Sequence, residues 1–210
     1  YYGGIKKYQW PVQPLALHGV VMLANGQCIN LRLGEKPGDP VFCVTDLLPH
    51  LAYGQMDKKA KDVVSGEALN IVVGNLPYFE DKEIKERVKL NILRLLNDTY
   101  GIKEEDLVSA DLAAVPTGAA RDVGFDRSLI GAYGQDDHVC AYASLFGFLD
   151  VAAPEHTAIC LFTDREEVGS MGNTGARSRF LENVVAELVS REGTGSVVLG
   201  VRLALARGEA

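Results

Sequence analysis

Basic residues are scarce in this sequence relative to acids: 21 Lys and Arg stand against 28 Asp and Glu, a formal net charge of −7 over 210 residues. Without a basic stripe to neutralise phosphates, a nucleic-acid role is disfavoured. Cysteine is sparse as well. Cys28, Cys43, Cys140 and Cys160 contain no Cys-x-x-Cys pair and are too few to staple a small scaffold. That argues against zinc-ribbon chemistry and suits reduced, buried thiols in a cytoplasmic protein. No stretch approaches ~18 consecutive apolar residues, and no basic segment followed by an apolar one opens the chain. Neither a membrane span nor a signal peptide is expected. Internal repeats and low-complexity tracts are also missing. The run Gly169-Ser170-Met171-Gly172-Asn173-Thr174-Gly175 lacks the Gly-Lys-Ser/Thr ending of a phosphate loop and reads as a turn. What the chain does have is 47% hydrophobic and 23% charged residues, enough for one large or two small domains with a core.

The first part reads as β-rich. Leu15 to Leu23 and Cys28 to Leu33 are apolar runs separated by Ala24-Asn25-Gly26-Gln27, and Asn-Gly offers the positive-φ residues of a tight hairpin. Val41 to Thr45, Asn70 to Gly74 and the stretch around Leu107 to Val115 read as further strands, with Met56 to Lys61 polar and exposed. From Asp81 the period changes. Ile84, Val88, Ile92, Leu95 and Leu96 fall at helical spacing, which predicts an amphipathic helix ending near Tyr100-Gly101. Pro116-Thr117-Gly118 and Gly124 mark an irregular crossing, the candidate domain boundary. After it, Val139, Tyr142, Leu145, Phe146 and Leu149 make one helical face and Phe180, Val184 and Leu188 another, with His156 to Phe162 an apolar strand between them. Such alternation implies an α/β fold with a mostly parallel, buried sheet.

Chemistry concentrates in two acidic segments. In Phe162-Thr163-Asp164-Arg165-Glu166-Glu167 a buried strand is expected to end in a cluster of acids. Carboxylates crowded at the carboxyl end of a strand repel one another unless a cation or protons neutralise them, so the cluster suggests a divalent metal site. A solvated acidic turn is the ordinary alternative. Asp136-Asp137 lies where a loop enters a helix, and there the ordinary alternative is a helix cap. Taken together, the two segments offer a bridging carboxylate, a terminal ligand and a free base at one edge of the sheet.

Tyr133-Gly134-Gln135-Asp136-Asp137-His138-Val139-Cys140 and Phe162-Thr163-Asp164-Arg165-Glu166-Glu167-Val168-Gly169-Ser170-Met171-Gly172 resemble the two central signatures of the aspartyl aminopeptidase family of dinuclear zinc aminopeptidases. Tyr2-Gly3-Gly4, Leu48-Pro49-His50-Leu51-Ala52 and Gly66-Glu67-Ala68-Leu69-Asn70 resemble family segments of an inserted dimerisation domain, so the likeness spans nearly the whole chain. The resemblance implies a β-rich dimerisation domain over 1–130 and part of an α/β, mostly parallel-sheet metallopeptidase catalytic domain over 131–210. By the same resemblance Asp136 is the bridging metal ligand, Glu167 a terminal metal ligand and Glu166 the general base that handles the proton of the attacking water. His50 matches a histidine that reaches the partner subunit's active site to hold the substrate or the developing oxyanion; its ordinary alternative is a loop histidine packed beside Pro49. His18, His138 and His156 read as structural.

The implied cofactor is zinc, two divalent cations per complete site, with cobalt or manganese as substitutes. The implied partners are a peptide substrate and copies of the same chain, dimers building toward a dodecamer. Three family features are missing: a His-x-Asp motif ahead of the insert, a Ser-Ala-Asp segment and a last His ligand. The chain opens on Tyr1 without Met, which reads as an interior portion of a longer protein. Zinc takes four partners in most sites, so the chain alone is expected to be inactive or nearly so. A catalytically incomplete assembly module is the competing reading, and a nuclease or nucleotide hydrolase is a weak third, for want of a basic groove. An acidic N-terminal residue is the candidate substrate preference.

Overall fold

The computed structural model describes residues 4–79, 83, 85–163, 175 and 177–191. Two compact units result: Lys6–Tyr133, and the described residues of Tyr1–Ile5 with Gly134–Ala210. The Lys6–Tyr133 unit is built on strands β1 (Leu15–Met22), β2 (Cys28–Leu33) and β3 (Asp111–Pro116), in the order β2-β1-β3 and antiparallel throughout. It also holds the one-turn helix α1 (Tyr53–Met56), the amphipathic helix α2 (Arg87–Tyr100) and an antiparallel hairpin of β4 (Arg121–Val123) and β5 (Leu129–Gly131). The second unit contributes α3 (Gln135–Leu149) and α4 (Phe180–Arg191).

The β1–β2 hairpin forms where expected but with a different turn. Leu23 N–H donates to Gln27 O at 2.9 Å and Gly26 N–H to Leu23 O at 2.8 Å, closing a three-residue loop. Only Gly26 takes a positive φ, of 86°. Asn25 accepts the Gln27 N–H on its side-chain oxygen instead, so glycine alone supplies the left-handed step. Central in β1, Gly19 faces Leu31 on one side and Leu112 on the other. Its φ is 146°, and a Cβ there would overlap the carbonyl oxygen of Asp111. The three strands close up because that position carries no side chain.

Helix α2 ends at Tyr100 as the pattern predicts, because Gly101 turns left-handed (φ 72°) and its N–H donates to Asn97 O at 2.8 Å. The reversal drops Ile102 into the sheet. Ile102, Val21 and Leu31 form the buried cluster, with Leu96 and Tyr100 of α2 and Leu112 of β3 packed around it. Burying three such side chains contributes about 1.5–3 kcal/mol each.

Four expected strands differ. Phe42 bridges to Leu15, and Val44 bridges to both Pro11 and Ile71. These bridges stay isolated and none extends into a ladder, so neither 41–45 nor 70–74 becomes a strand. Around 107–115 a 3-10 turn, Glu104–Ser109, replaces the first half. Its cause is Asp106, 5% exposed, whose Oδ2 accepts the Lys103 N–H and Oδ1 the Ala24 N–H, each at 2.9 Å. That clamp ties the turn to the β1–β2 loop and delays β3 to Asp111. Finally, 156–162 forms no strand: His156 lies in a bend and none of the segment joins a ladder among the described residues. Every ladder between the strands named above is antiparallel, so the expected parallel sheet is not built by the described residues.

Candidate active site

The Asp136 segment begins with a sharp turn. Gly134 is left-handed (φ 80°, ψ 16°), and a Cβ on it would lie 3.2 Å from His138 Nδ1. Glycine therefore lets the His138 ring fold back onto its own turn, and the His138 N–H donates to Gly134 O at 3.3 Å. Asp136 (φ −91°, ψ 108°) and Asp137 (φ −117°, ψ 21°) stand outside helical geometry ahead of the regular part of α3. Both are exposed. The cap position of α3 as bounded is Gly134, which has no side chain to offer the helix N–H groups.

Asp137 has a local role that the sequence left unassigned. Its carboxylate accepts a hydrogen bond from the Cys140 thiol, and that bond, reinforced by the negative charges of Asp137 and then Asp136, raises the thiol's pKa above its ordinary value. A carboxylate beside a thiol disfavours a second negative charge. Cys140, exposed rather than buried as expected of the cysteines, is thus kept in its protonated form.

Glu166 and Glu167 lie outside the described residues. His50 sits in the other unit, exposed on the 3-10 turn Pro49–Leu51. Its neighbours Leu47, Leu48, Leu51, Tyr53 and Met56 are also exposed. His18 Nε2 lies 2.9 Å from Glu35 Oε1, close enough for an ion pair though not aligned as a hydrogen bond. His156 is exposed. Among the described residues no three His, Cys, Asp or Glu gather as a metal cluster. The Asp136 carboxylate is the donor type zinc accepts in mixed nitrogen and oxygen sites, but the described residues alone do not make a complete set.

Sequence comparison decides the family. The pattern of Peptidase M18, described as aminopeptidase I zinc metalloprotease, matches residues 1–202. The chain belongs to the M18 family. A probable M18 family aminopeptidase 1 of Clostridium acetobutylicum is 52% identical over 190 residues, 90% of this chain and 41% of that protein. Its counterpart in Thermotoga maritima is 48% identical over 193 residues, 92% of this chain and 42% of that one. The chain thus spans about two-fifths of the length of these curated M18 relatives.

Solved M18 structures share the fold. The crystal structure of the Thermotoga maritima M18 aminopeptidase superposes with a TM-score of 0.86 at 46% identity, covering 97% of this chain and 44% of that one. Aminopeptidase I from Clostridium acetobutylicum gives 0.80 at 52% identity, covering 91% and 42%. Among the described residues, no helix is long and apolar enough to cross a membrane.

Proposed function

We propose that this chain is the interior portion of a cytoplasmic zinc aminopeptidase that releases N-terminal residues, acidic ones preferred, from peptides. The observation that carries the reading is the M18 match over 1–202, with Asp136 inside its span on a turn held out of helical geometry. In this reading Asp136 and Glu167 hold the metal pair. When bound, two zinc ions, or cobalt or manganese in their place, polarise the scissile carbonyl and acidify the attacking water. Glu166 takes the water's proton and returns it to the leaving amine. His50, supplied by a neighbouring subunit, donates to the developing oxyanion. Residues 1–130 act as the inserted dimerisation domain and 131–210 as part of a catalytic domain whose sheet is mostly parallel when complete.

The test compares this chain with a form extended at both ends to the length of its M18 relatives, using aminoacyl p-nitroanilides with added zinc, cobalt or manganese. The extended form is expected to turn over and to lose about 10²- to 10⁴-fold in Glu166→Gln, while the chain alone stays near background. Robust turnover by the chain alone overturns its incompleteness. An inactive but folded, zinc-loaded extended form overturns the peptidase reading.

A second reading, an assembly module without chemistry of its own, is favoured by the exposed apolar side chains flanking His50. Large apolar groups bunched at one exposed turn suit a docking surface, here for a second copy on the way to a dodecamer. Sedimentation of the chain at tens of micromolar reads it, and a strict monomer counts against it.

A further inference from the structure

The turn between β1 and β2 carries a reactive pair of residues. Asn25 is the one asparagine of the chain that is followed by glycine, and glycine leaves its own backbone nitrogen unshielded by a side chain. Residues 24–27 are all exposed, and a Cβ built on Gly26 meets nothing within 4 Å. Water therefore reaches both the Asn25 side-chain amide and the nitrogen that follows it. Attack of that nitrogen on the amide carbon gives a cyclic imide. The bond from Gly26 N to Asn25 Cγ forms, the Cγ–Nδ2 bond breaks, and ammonia leaves with the proton that the Gly26 nitrogen gives up. Water then opens the imide at one of its two carbonyls, leaving an aspartyl or an isoaspartyl residue at position 25. The sum is one water consumed and one ammonia released, with nothing oxidised or reduced.

In the closed turn both reacting groups are engaged. Gly26 N–H donates to Leu23 O at 2.8 Å, and Asn25 Oδ1 accepts the Gln27 N–H at 2.9 Å. Attack requires both to leave these partners and turn toward each other. No buried side chain anchors 24–27, so hydrogen bonds keep the loop closed. Some come from outside it. On the 3-10 turn Glu104–Ser109, Asp106 Oδ1 accepts the Ala24 N–H and the Ser109 hydroxyl donates to Met22 O, each at 2.9 Å. Asp106 is itself fixed by the Lys103 N–H on Oδ2. A segment held in this way opens locally at less cost than the whole domain unfolds.

We propose that Asn25-Gly26 is a spontaneous deamidation site whose rate is set by local opening of the β1–β2 turn, with Asp106 as the clamp that slows it. The product undoes the turn that protected it. An isoaspartyl link puts an extra main-chain carbon between Leu23 and Gln27, which close the loop with a 2.9 Å hydrogen bond. Either product adds a negative charge next to Ala24, whose N–H is held by the buried Asp106 carboxylate. Turn geometry fixes hairpin register, so the damage begins at the Met22–Cys28 end of the ladder. None of this depends on the peptidase reading.

The purified chain is incubated at neutral pH and the peptide holding Asn25 is followed by mass spectrometry, with fragment ions separating Asn25 from Asn30. An isoaspartyl methyltransferase assay counts the isoaspartyl product. The chain unfolded in guanidinium sets the reference rate. The folded chain is expected to react at Asn25 about 10-fold or more slowly, the population cost of breaking two or three hydrogen bonds. Its rate should stay flat in guanidinium below the unfolding transition, because local opening exposes little surface. Asp106→Ala should speed the folded chain about 5-fold or more and leave the unfolded rate unchanged. Asp106→Asn, which keeps one acceptor oxygen, should fall between, and with Ser109→Ala it carries the comparison if Asp106→Ala does not fold. Four results overturn the proposal: no conversion at Asn25 in the unfolded chain, equal rates folded and unfolded, a folded rate that climbs steeply below the transition, or folded clamp variants that react no faster than the parent.

Discussion

The two units treat their apolar residues differently. In Lys6–Tyr133, Leu15, Ala16, Val21, Leu31, Val44, Ala52, Val64 and Ile102 are buried, whereas among the described residues beyond Gly134 only Ala186 is. Val139, Tyr142, Phe146, Leu149, Phe162 and Phe180 stay exposed there despite their helical or strand spacing. The first unit closes its core with its own hairpin, helix and clamp. The second presents apolar faces that only another packed surface can cover. Periodicity marks which face is apolar; it does not name the partner.

The largest expected effect tests the closed core. Ile102→Ala should cost about 2–5 kcal/mol, lost transfer energy plus the cavity left behind, read as a lowered urea midpoint for the Lys6–Tyr133 unit. Because domains hold only about 5–15 kcal/mol in total, a shift under 1 kcal/mol would break the claim that this unit is self-contained. Next in size, Asp106→Ala leaves the Ala24 and Lys103 N–H groups without their acceptor and should cost about 1–3 kcal/mol. Amide exchange at Ala24 and Lys103 should accelerate in the same variant.

A smaller effect sharpens the contrast from the other side. Tyr142→Ser with Leu149→Ser removes two large apolar groups from α3, 64% and 61% exposed. Stability should move by no more than about 0.5 kcal/mol per site, while binding of a hydrophobic dye falls. Destabilisation on the scale of Ile102→Ala would show that α3 is packed in solution and erase the difference between the units.

The smallest effect is a pH dependence in the loop after β2. Asp39 accepts the N–H of Lys36 at 3.0 Å and of Gly34 at 3.2 Å, and these bonds, the Lys36 N–H foremost, hold its pKa below the ordinary 3.8. A carboxylate with a lowered folded-state pKa stabilises above its unfolded value, and that contribution fades as pH falls through the lowered one. Asp39→Asn should therefore flatten the stability profile below about pH 4 and change little at pH 7. An unchanged slope in acid would remove Asp39 from the account.

Of the candidate site, only the segment around Asp136 is both named by a local string and described by the structure. There a left-handed glycine at Gly134 leaves room for the His138 ring, and Asp136 and Asp137 stand outside helical geometry just after it. His50 is a different case: the structure shows it exposed on its own 3-10 turn, and any neighbour it would reach lies outside that segment. The clamp on the β1–β2 turn could not have been read from the sequence, since Asp106 reaches Ala24 only after the sheet has formed.

By itself the sequence determined the β1–β2 hairpin, the end of α2 at Tyr100 and the family, because each depends on short-range chemistry: glycine where φ must turn positive, apolar spacing at the helical period, and a run of specific residues. Tertiary structure alone decided that Phe42 and Val44 would make isolated bridges rather than pair as a strand, and that Asp106 would hold off β3. The physical reason is that a ladder and a buried carboxylate each require a partner from elsewhere in the chain, and the pattern of one segment carries no record of which partner arrives.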